Sequence, residues 1–127
     1  MRLLLDTHIA LWAIVDSPRL PDQARRLILA PENEVVVSAA SVWEIAIKHG
    51  LAKRKMPVSG AEAKGWFLQA GYTLLPVTAE HAALVEELPA HHADPFDRVL
   101  VSQAIVHGLT IVTPDPLVTQ YPARTMW

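Results

Sequence analysis

HHADPFDRVLVSQAIVHGLTIVTPD, residues 91 to 115, decides how this chain folds: an acid-rich helix start, an apolar helix and an apolar strand follow in succession, and the strand ends on a further acid. Asp94 stands at an N-cap position, Pro95 at the first helical position and Asp97 at N3, an order that suits the free N–H groups of a first turn. Val99 to Val106 is mostly apolar, and Gly108 falls where a glycine ends a helix. Thr110 to Val112 is short, apolar and β-branched, which predicts a buried strand of a parallel sheet running into Thr113-Pro114-Asp115. Taken singly, each acid has an ordinary explanation. Asp94 and Asp97 complement a helix dipole, and Asp115 suits a turn.

The same alternation of strand and helix extends in both directions. At the start, Arg2 to Leu5 reads as a buried strand with Asp6-Thr7 as the cap of an apolar helix containing Ile9, Leu11, Trp12, Ile14 and Val15. Asp16-Ser17-Pro18 breaks that helix, and another runs from Pro21 to Ala30. Val35 to Val37 is the second strand. A helix follows from about Ala39 to His49, with Gly50 as its stop and Ser41-Val42-Trp43-Glu44 as a capping box in its opening turns. Ser59-Gly60 precedes a helix to about Ala70, Thr73 to Val77 is a third strand interrupted by Pro76, and Thr78 caps a helix through Leu88. Past the central stretch, Pro116 to Tyr121 is a turn or short helix, and Arg124 to Trp127 adds an edge strand. Strands alternating with helices predict an α/β fold: a three-layer α/β/α sandwich around a parallel sheet of four to five strands, in one domain over residues 1–127.

Composition narrows the chemistry. With 51% hydrophobic residues in 127, the chain can bury a real core. It contains no cysteine, so disulfides, thiolate metal sites and thiol nucleophiles are excluded, and reactive groups must be oxygen or imidazole. A net charge of -2 argues against nucleic-acid binding through overall positive charge, though not against a local basic patch. No apolar run approaches the roughly 20 residues that span a bilayer, and Leu3-Leu4-Leu5 is too short for a signal segment, so a cytoplasmic protein without membrane attachment is expected.

In a parallel sheet the carboxyl ends of the strands share one edge, where ligands bind. Asp6 ends the first strand, Glu44 lies early in the helix after the second, Asp97 opens the helix before another, and Asp115 follows that strand. Four carboxylates facing one crevice repel unless a cation neutralises them, so their common placement points to a divalent metal site. Oxygen donors select hard ions such as Mg²⁺ or Mn²⁺. Zinc is disfavoured, because His91-His92 is adjacent rather than spaced and His8, His49, His81 and His107 are dispersed.

These segments resemble the PIN-domain nucleases, and specifically the VapC-like toxins of bacterial type II toxin–antitoxin systems, in a subgroup with a DPFDR sequence. The resemblance covers nearly the whole chain: LLLDTH at 3–8, SVWEIAIK at 41–48, HHADPFDRVLVSQA at 91–104, GLTIVTPD at 108–115, and a terminal aromatic after a basic residue. The family's acidic quartet falls on Asp6, Glu44, Asp97 and Asp115. Asp94 matches an additional acid that supports the site from outside or caps the helix, and Thr7 and Thr113 match small hydroxyl residues beside the acids. Pro114-Asp115-Pro116-Leu117 departs from the pattern, where a large aromatic commonly follows the acid. The resemblance implies a PIN-like fold, Mg²⁺-dependent cleavage of RNA (with Mn²⁺ as an alternative ion), a homodimer, and a cognate antitoxin as partner. Lys48, Lys53, Arg54, Lys55 and Arg98 are the corresponding candidates for phosphate contacts.

Three other readings compete. A haloacid-dehalogenase phosphatase places a second acid two residues after the first-strand acid, where this chain has His8. A response-regulator receiver needs paired acids near the first strand and a lysine after a late strand, and Thr113-Pro114-Asp115 supplies none. A catalytically silent binding module would lack part of the quartet.

Overall fold

The computed structural model describes residues 1–127. Five strands, β1 (Arg2–Leu5), β2 (Glu34–Ser38), β3 (Thr73–Leu75), β4 (Thr110–Val112) and β5 (Arg124–Met126), form one sheet in the order β3-β2-β1-β4-β5. Every neighbouring pair is parallel. Six helices accompany them: α1 (Thr7–Ile14), α2 (Asp22–Leu29), α3 (Ala39–Leu51), α4 (Gly60–Gln69), α5 (Ala79–Leu84) and α6 (Pro95–His107).

The central strands β1, β2 and β4 are mostly apolar because both faces are covered, whereas the edge strands β3 and β5 are only partly buried. Alternate residues divide between two cores, as the two-residue period of a strand requires. Leu3, Leu5, Val35, Val37 and Val112 pack with Ile9 of α1, Ile28 of α2, Ile45 of α3 and Phe67 of α4. On the other face, Leu4, Val36 and Ile111 pack with Leu100, Val101 and Ala104 of α6 and with Tyr121. Burying each of Leu3, Leu4 and Leu5 completely contributes about 2 kcal/mol, so β1 anchors the sheet through side chains as well as hydrogen bonds. The chain leaves β1 toward β2 and β3 on one side and reaches β4 and β5 on the other. The switch point between β1 and β4 therefore opens a crevice at the carboxyl edge.

Local signals account for most boundaries. Asp6 caps α1 by accepting from the His8 N–H, Asp94 caps α6 by accepting from the Phe96 N–H, and Pro95 takes the first helical position. Gly108 closes α6 in the left-handed region at φ 64°, where a Cβ would be strained. Gly50, expected as the stop of α3, instead lies inside that helix. Its φ is not positive, so it makes no left-handed cap, and the helix continues to Leu51 before Ala52 turns extended. The α3 cap is Ser38, not the Ser41-Glu44 pair: Ser38 accepts from the Ala40 N–H, which leaves Glu44 free for another task. Pro76 ends β3 at Leu75, and the helix begun at Thr78 tightens to a 3₁₀ turn from Val85.

No helix is long and apolar enough to cross a membrane. A shallow apolar groove of about 750 Å³ runs between the end of α1 (Ile14, Val15), the end of α2 (Ile28, Leu29) and Trp66 of α4. Separately, α3 presents Trp43, Ile47 and Leu51 to solvent at successive four-residue steps, with Phe96 edge-on to Trp43 at 5.2 Å.

Candidate active site

A cleft of about 470 Å³ lies at the switch point, and its walls include Asp6, Glu44, Asp94, Asp97 and Asp115, with Lys48 as the one ammonium. The four acids expected from sequence all line this cleft, but only Asp97 and Asp115, with His92, bring ligand atoms within 4.8 Å of one another. Each acid reaches the cleft through its element: Asp6 leaves β1, Glu44 sits one turn into α3, Asp97 lies in the first turn of α6, and Asp115 follows β4.

Hydroxyl donors hold two of these carboxylates rigidly. Thr7 Oγ1 donates to Glu44 Oε1 at 2.8 Å and lies 2.8 Å from Ser41 Oγ, so Ser41 donates to Thr7 in turn. Thr113 Oγ1 donates to Asp6 Oδ2 at 2.8 Å and accepts from the Asp115 N–H. Thr7, Ser41, Glu44 and Thr113 are all buried. The second oxygen of Glu44 meets Lys48 Nζ at 2.6 Å, one helical turn on. Asp94 is committed to the α6 cap.

Asp97 makes no capping hydrogen bond. Its Oδ2 meets His92 Nε2 at 2.9 Å, and the same nitrogen lies 3.1 Å from Asp115 Oδ2. His92 is the residue that sequence reasoning missed. It sits in an irregular segment before α6, and only the fold shows that this segment turns its ring back over the cleft.

The carboxyl of Asp97 is pushed up to about 7, first by burial, then by the charges of Asp6 and Asp94, with Glu44 adding to them and His92 opposing. Burial and the neighbouring carboxylates outweigh the imidazole beside it. The donor set, carboxylate oxygens within one cleft, fits a hard divalent cation. His92, Asp97 and Asp115 bring potential ligand atoms within 4.8 Å of one another.

The basic candidates divide. Lys48 lines the cleft, and with His8 and Lys55 it also lines an adjoining cavity of about 400 Å³. Lys53 and Arg54 are exposed and line neither cavity. Arg98 does not serve as a free phosphate-binding cation. Its guanidinium donates to the carbonyls of Val85, Leu88, Pro89 and His92 and to the Tyr121 hydroxyl, tying down the segment that carries His92.

The profile described as PIN domain matches residues 3–122. Among characterised proteins, the chain is 31% identical to "Ribonuclease VapC22" of Mycobacterium tuberculosis over 89% of its own length and 86% of that protein's. Its backbone resembles solved structures of VapBC2 from Rickettsia felis, bound to a DNA fragment from the promoter (TM-score 0.74, 21% identity, 100% of this chain and 99% of that one). It also resembles FitAcB from Neisseria gonorrhoeae (TM-score 0.66, 20% identity, 98% and 96%). Those structures carry the fold, while the profile and the VapC22 alignment carry the family: the chain belongs to the PIN-domain family and is of the VapC type.

Proposed function

We propose that this protein is a Mg²⁺-dependent endoribonuclease acting as the toxin of a toxin–antitoxin pair, with Mn²⁺ able to replace Mg²⁺. The observation that carries the reading is the cleft in which Asp6, Glu44, Asp94, Asp97 and Asp115 face a single ammonium. Asp6, Glu44, Asp97 and Asp115 would hold the cation. When bound, such an ion lowers the pKa of its water and neutralises charge growing on a phosphate. Thr7 and Thr113 keep Glu44 and Asp6 oriented, so the donors are in place before the ion arrives.

Lys48 stands at the mouth of the cleft and contacts the phosphate, and Lys55 receives the next phosphate along the adjoining cavity. Lys53 and Arg54 then act only through the general field. The apolar groove beside Trp66 suits an apolar antitoxin segment, and the Trp43, Ile47 and Leu51 stripe suits a second copy of the chain. VapC22 is named a ribonuclease and the structural relatives are complexes, which supports both the activity and the partner.

The test is cleavage of a panel of single-stranded and structured RNAs by EDTA-stripped protein. Cleavage should appear on adding Mg²⁺ or Mn²⁺ and vanish in Glu44→Gln. Equal cleavage in EDTA, or none by the parent with either ion, would refute the reading.

A further inference from the structure

We infer that His92 is a positioning residue whose Nε2–H, donated to Asp115 and set against Asp97, fixes the spacing of these two carboxylates for the cation, and that it is not itself a metal ligand. The inference rests on the metal-dependent reading above. Nε2 lies 2.9 Å from Asp97 Oδ2 and 3.1 Å from Asp115 Oδ2, so direct ligation by the ring is the obvious alternative.

The other ring nitrogen decides between the two. The backbone N–H of Asp94 points at His92 Nδ1 at 3.1 Å. An N–H donates only to a nitrogen with a free lone pair, so Nδ1 carries no proton and the imidazole proton sits on Nε2. A protonated Nε2 donates and has nothing left to give a metal. Ligation through Nε2 would move the proton to Nδ1, against the Asp94 N–H. The main chain that caps α6 therefore sets the tautomer that faces the acids.

The ring is also fixed in space. The His92 backbone N–H donates to the Tyr121 hydroxyl at 2.8 Å, and the same hydroxyl accepts from Arg98 at 3.1 Å. Three acids of the quartet have a donor of their own that orients them: Thr7 for Glu44, Thr113 for Asp6, and the Leu117 N–H for Asp115. Asp97 has no such donor of its own, and its nearest polar neighbour is His92 Nε2 at 2.9 Å, whose N–H is directed at Asp115 Oδ2. Asp97 and Asp115 come from different elements and repel, so an N–H donated to Asp115 Oδ2 with its nitrogen 2.9 Å from Asp97 Oδ2 sets their separation. A carboxylate oxygen can accept this hydrogen bond on one lone pair and still bind an ion on the other.

Mn²⁺ is the probe, used on the full chain after EDTA stripping. Free Mn²⁺, followed by electron paramagnetic resonance, gives affinities for the parent, His92→Ala, His92→Gln and Asp97→Asn. His92→Ala should bind about 10- to 100-fold more weakly. His92→Gln keeps an N–H at the same reach and should recover most of the loss. Spin-echo spectra of Mn²⁺ bound to the parent should show no directly bound nitrogen.

A nitrogen coupling present in the parent and missing in His92→Ala would make His92 a ligand and overturn the inference. Unchanged or tighter binding by His92→Ala would overturn it as well, the latter marking His92 as an occupant that the ion must displace. A parent that binds no Mn²⁺ removes the metal reading and this inference together. Binding lost in Asp97→Asn but intact in His92→Ala removes this inference alone. Should the alanine variant fail to fold, the nitrogen spectrum of the unaltered parent and the His92→Gln affinity still decide.

Discussion

Replacing Asp97 with Asn should stabilise the metal-free protein above neutral pH while destroying its affinity for the ion. Asp97 is only 15% exposed, and its carboxyl is pushed up to about 7 from an ordinary 3.8. Its folded value lies above its unfolded one, so the fold favours the protonated form. That contribution is present below the unfolded value and is lost as pH rises through about 7. Between pH 5 and 7 the folded parent holds about one more proton than the unfolded chain, and stability falls by about 1.4 kcal/mol per pH unit. The ceiling over that interval is about 3 kcal/mol, and coupling among the neighbouring acids lowers the expectation to about 2 kcal/mol. The amide of the variant does not titrate and keeps the size and place of the carboxyl. Urea denaturation in EDTA at pH 5 and pH 8 should therefore show the advantage of Asp97→Asn over the parent growing by about that amount. Mg²⁺ at roughly a hundred times its Kd should return about 2.7 kcal/mol to the parent and nothing to the variant, closing or reversing the gap. A gap independent of pH, or an equal response of both proteins to Mg²⁺, would show that Asp97 is neither raised by burial nor a ligand of the ion.

Three further outcomes are expected. Arg98→Ala should cost about 3 kcal/mol in denaturant unfolding, because its guanidinium serves four carbonyls and a hydroxyl. Gly60→Ala should destabilise by about 1–3 kcal/mol, since a Cβ there would lie 2.7 Å from Ala46 Cβ where α4 crosses α3, and a thermal melt reads this directly. His81 is buried against His107, Nε2 to Nε2 at 2.7 Å, and burial, then the charge of His107, lowers its pKa. Its contribution is present above the unfolded value near 6.5 and is lost as pH falls below it. His81→Gln should accordingly lose less stability than the parent between pH 7.5 and 5 in unfolding titrations.

Much of this was legible in the residues themselves. Runs such as Leu3-Leu4-Leu5 and Val35-Val36-Val37 announce buried parallel strands because their period and length admit little else, and Asp94-Pro95 with Gly108 brackets α6. The acids could be gathered from order alone, since a parallel sheet brings all its strand ends to one edge. What escaped depends on long-range geometry. Whether Gly50 ends α3 is settled by a backbone angle that composition does not encode. Ser41 looked like a cap beside Glu44, but its hydroxyl meets Thr7 from another element. Arg98 follows Asp97 in sequence yet points away into a cage of carbonyls, and His92 reaches the acids from a segment pinned by Tyr121, 29 residues on, which receives its N–H.

In the proposed site, four acids from four segments share one cation. Anomalous diffraction from crystals grown with Mn²⁺ tests it most directly. A peak is expected in the cleft bounded by Asp6, Glu44, Asp97 and Asp115, with oxygen neighbours and no contact from His92 Nε2. Crystals that show no peak there at saturating Mn²⁺, or a peak bound elsewhere with these carboxylates unchanged, would contradict it.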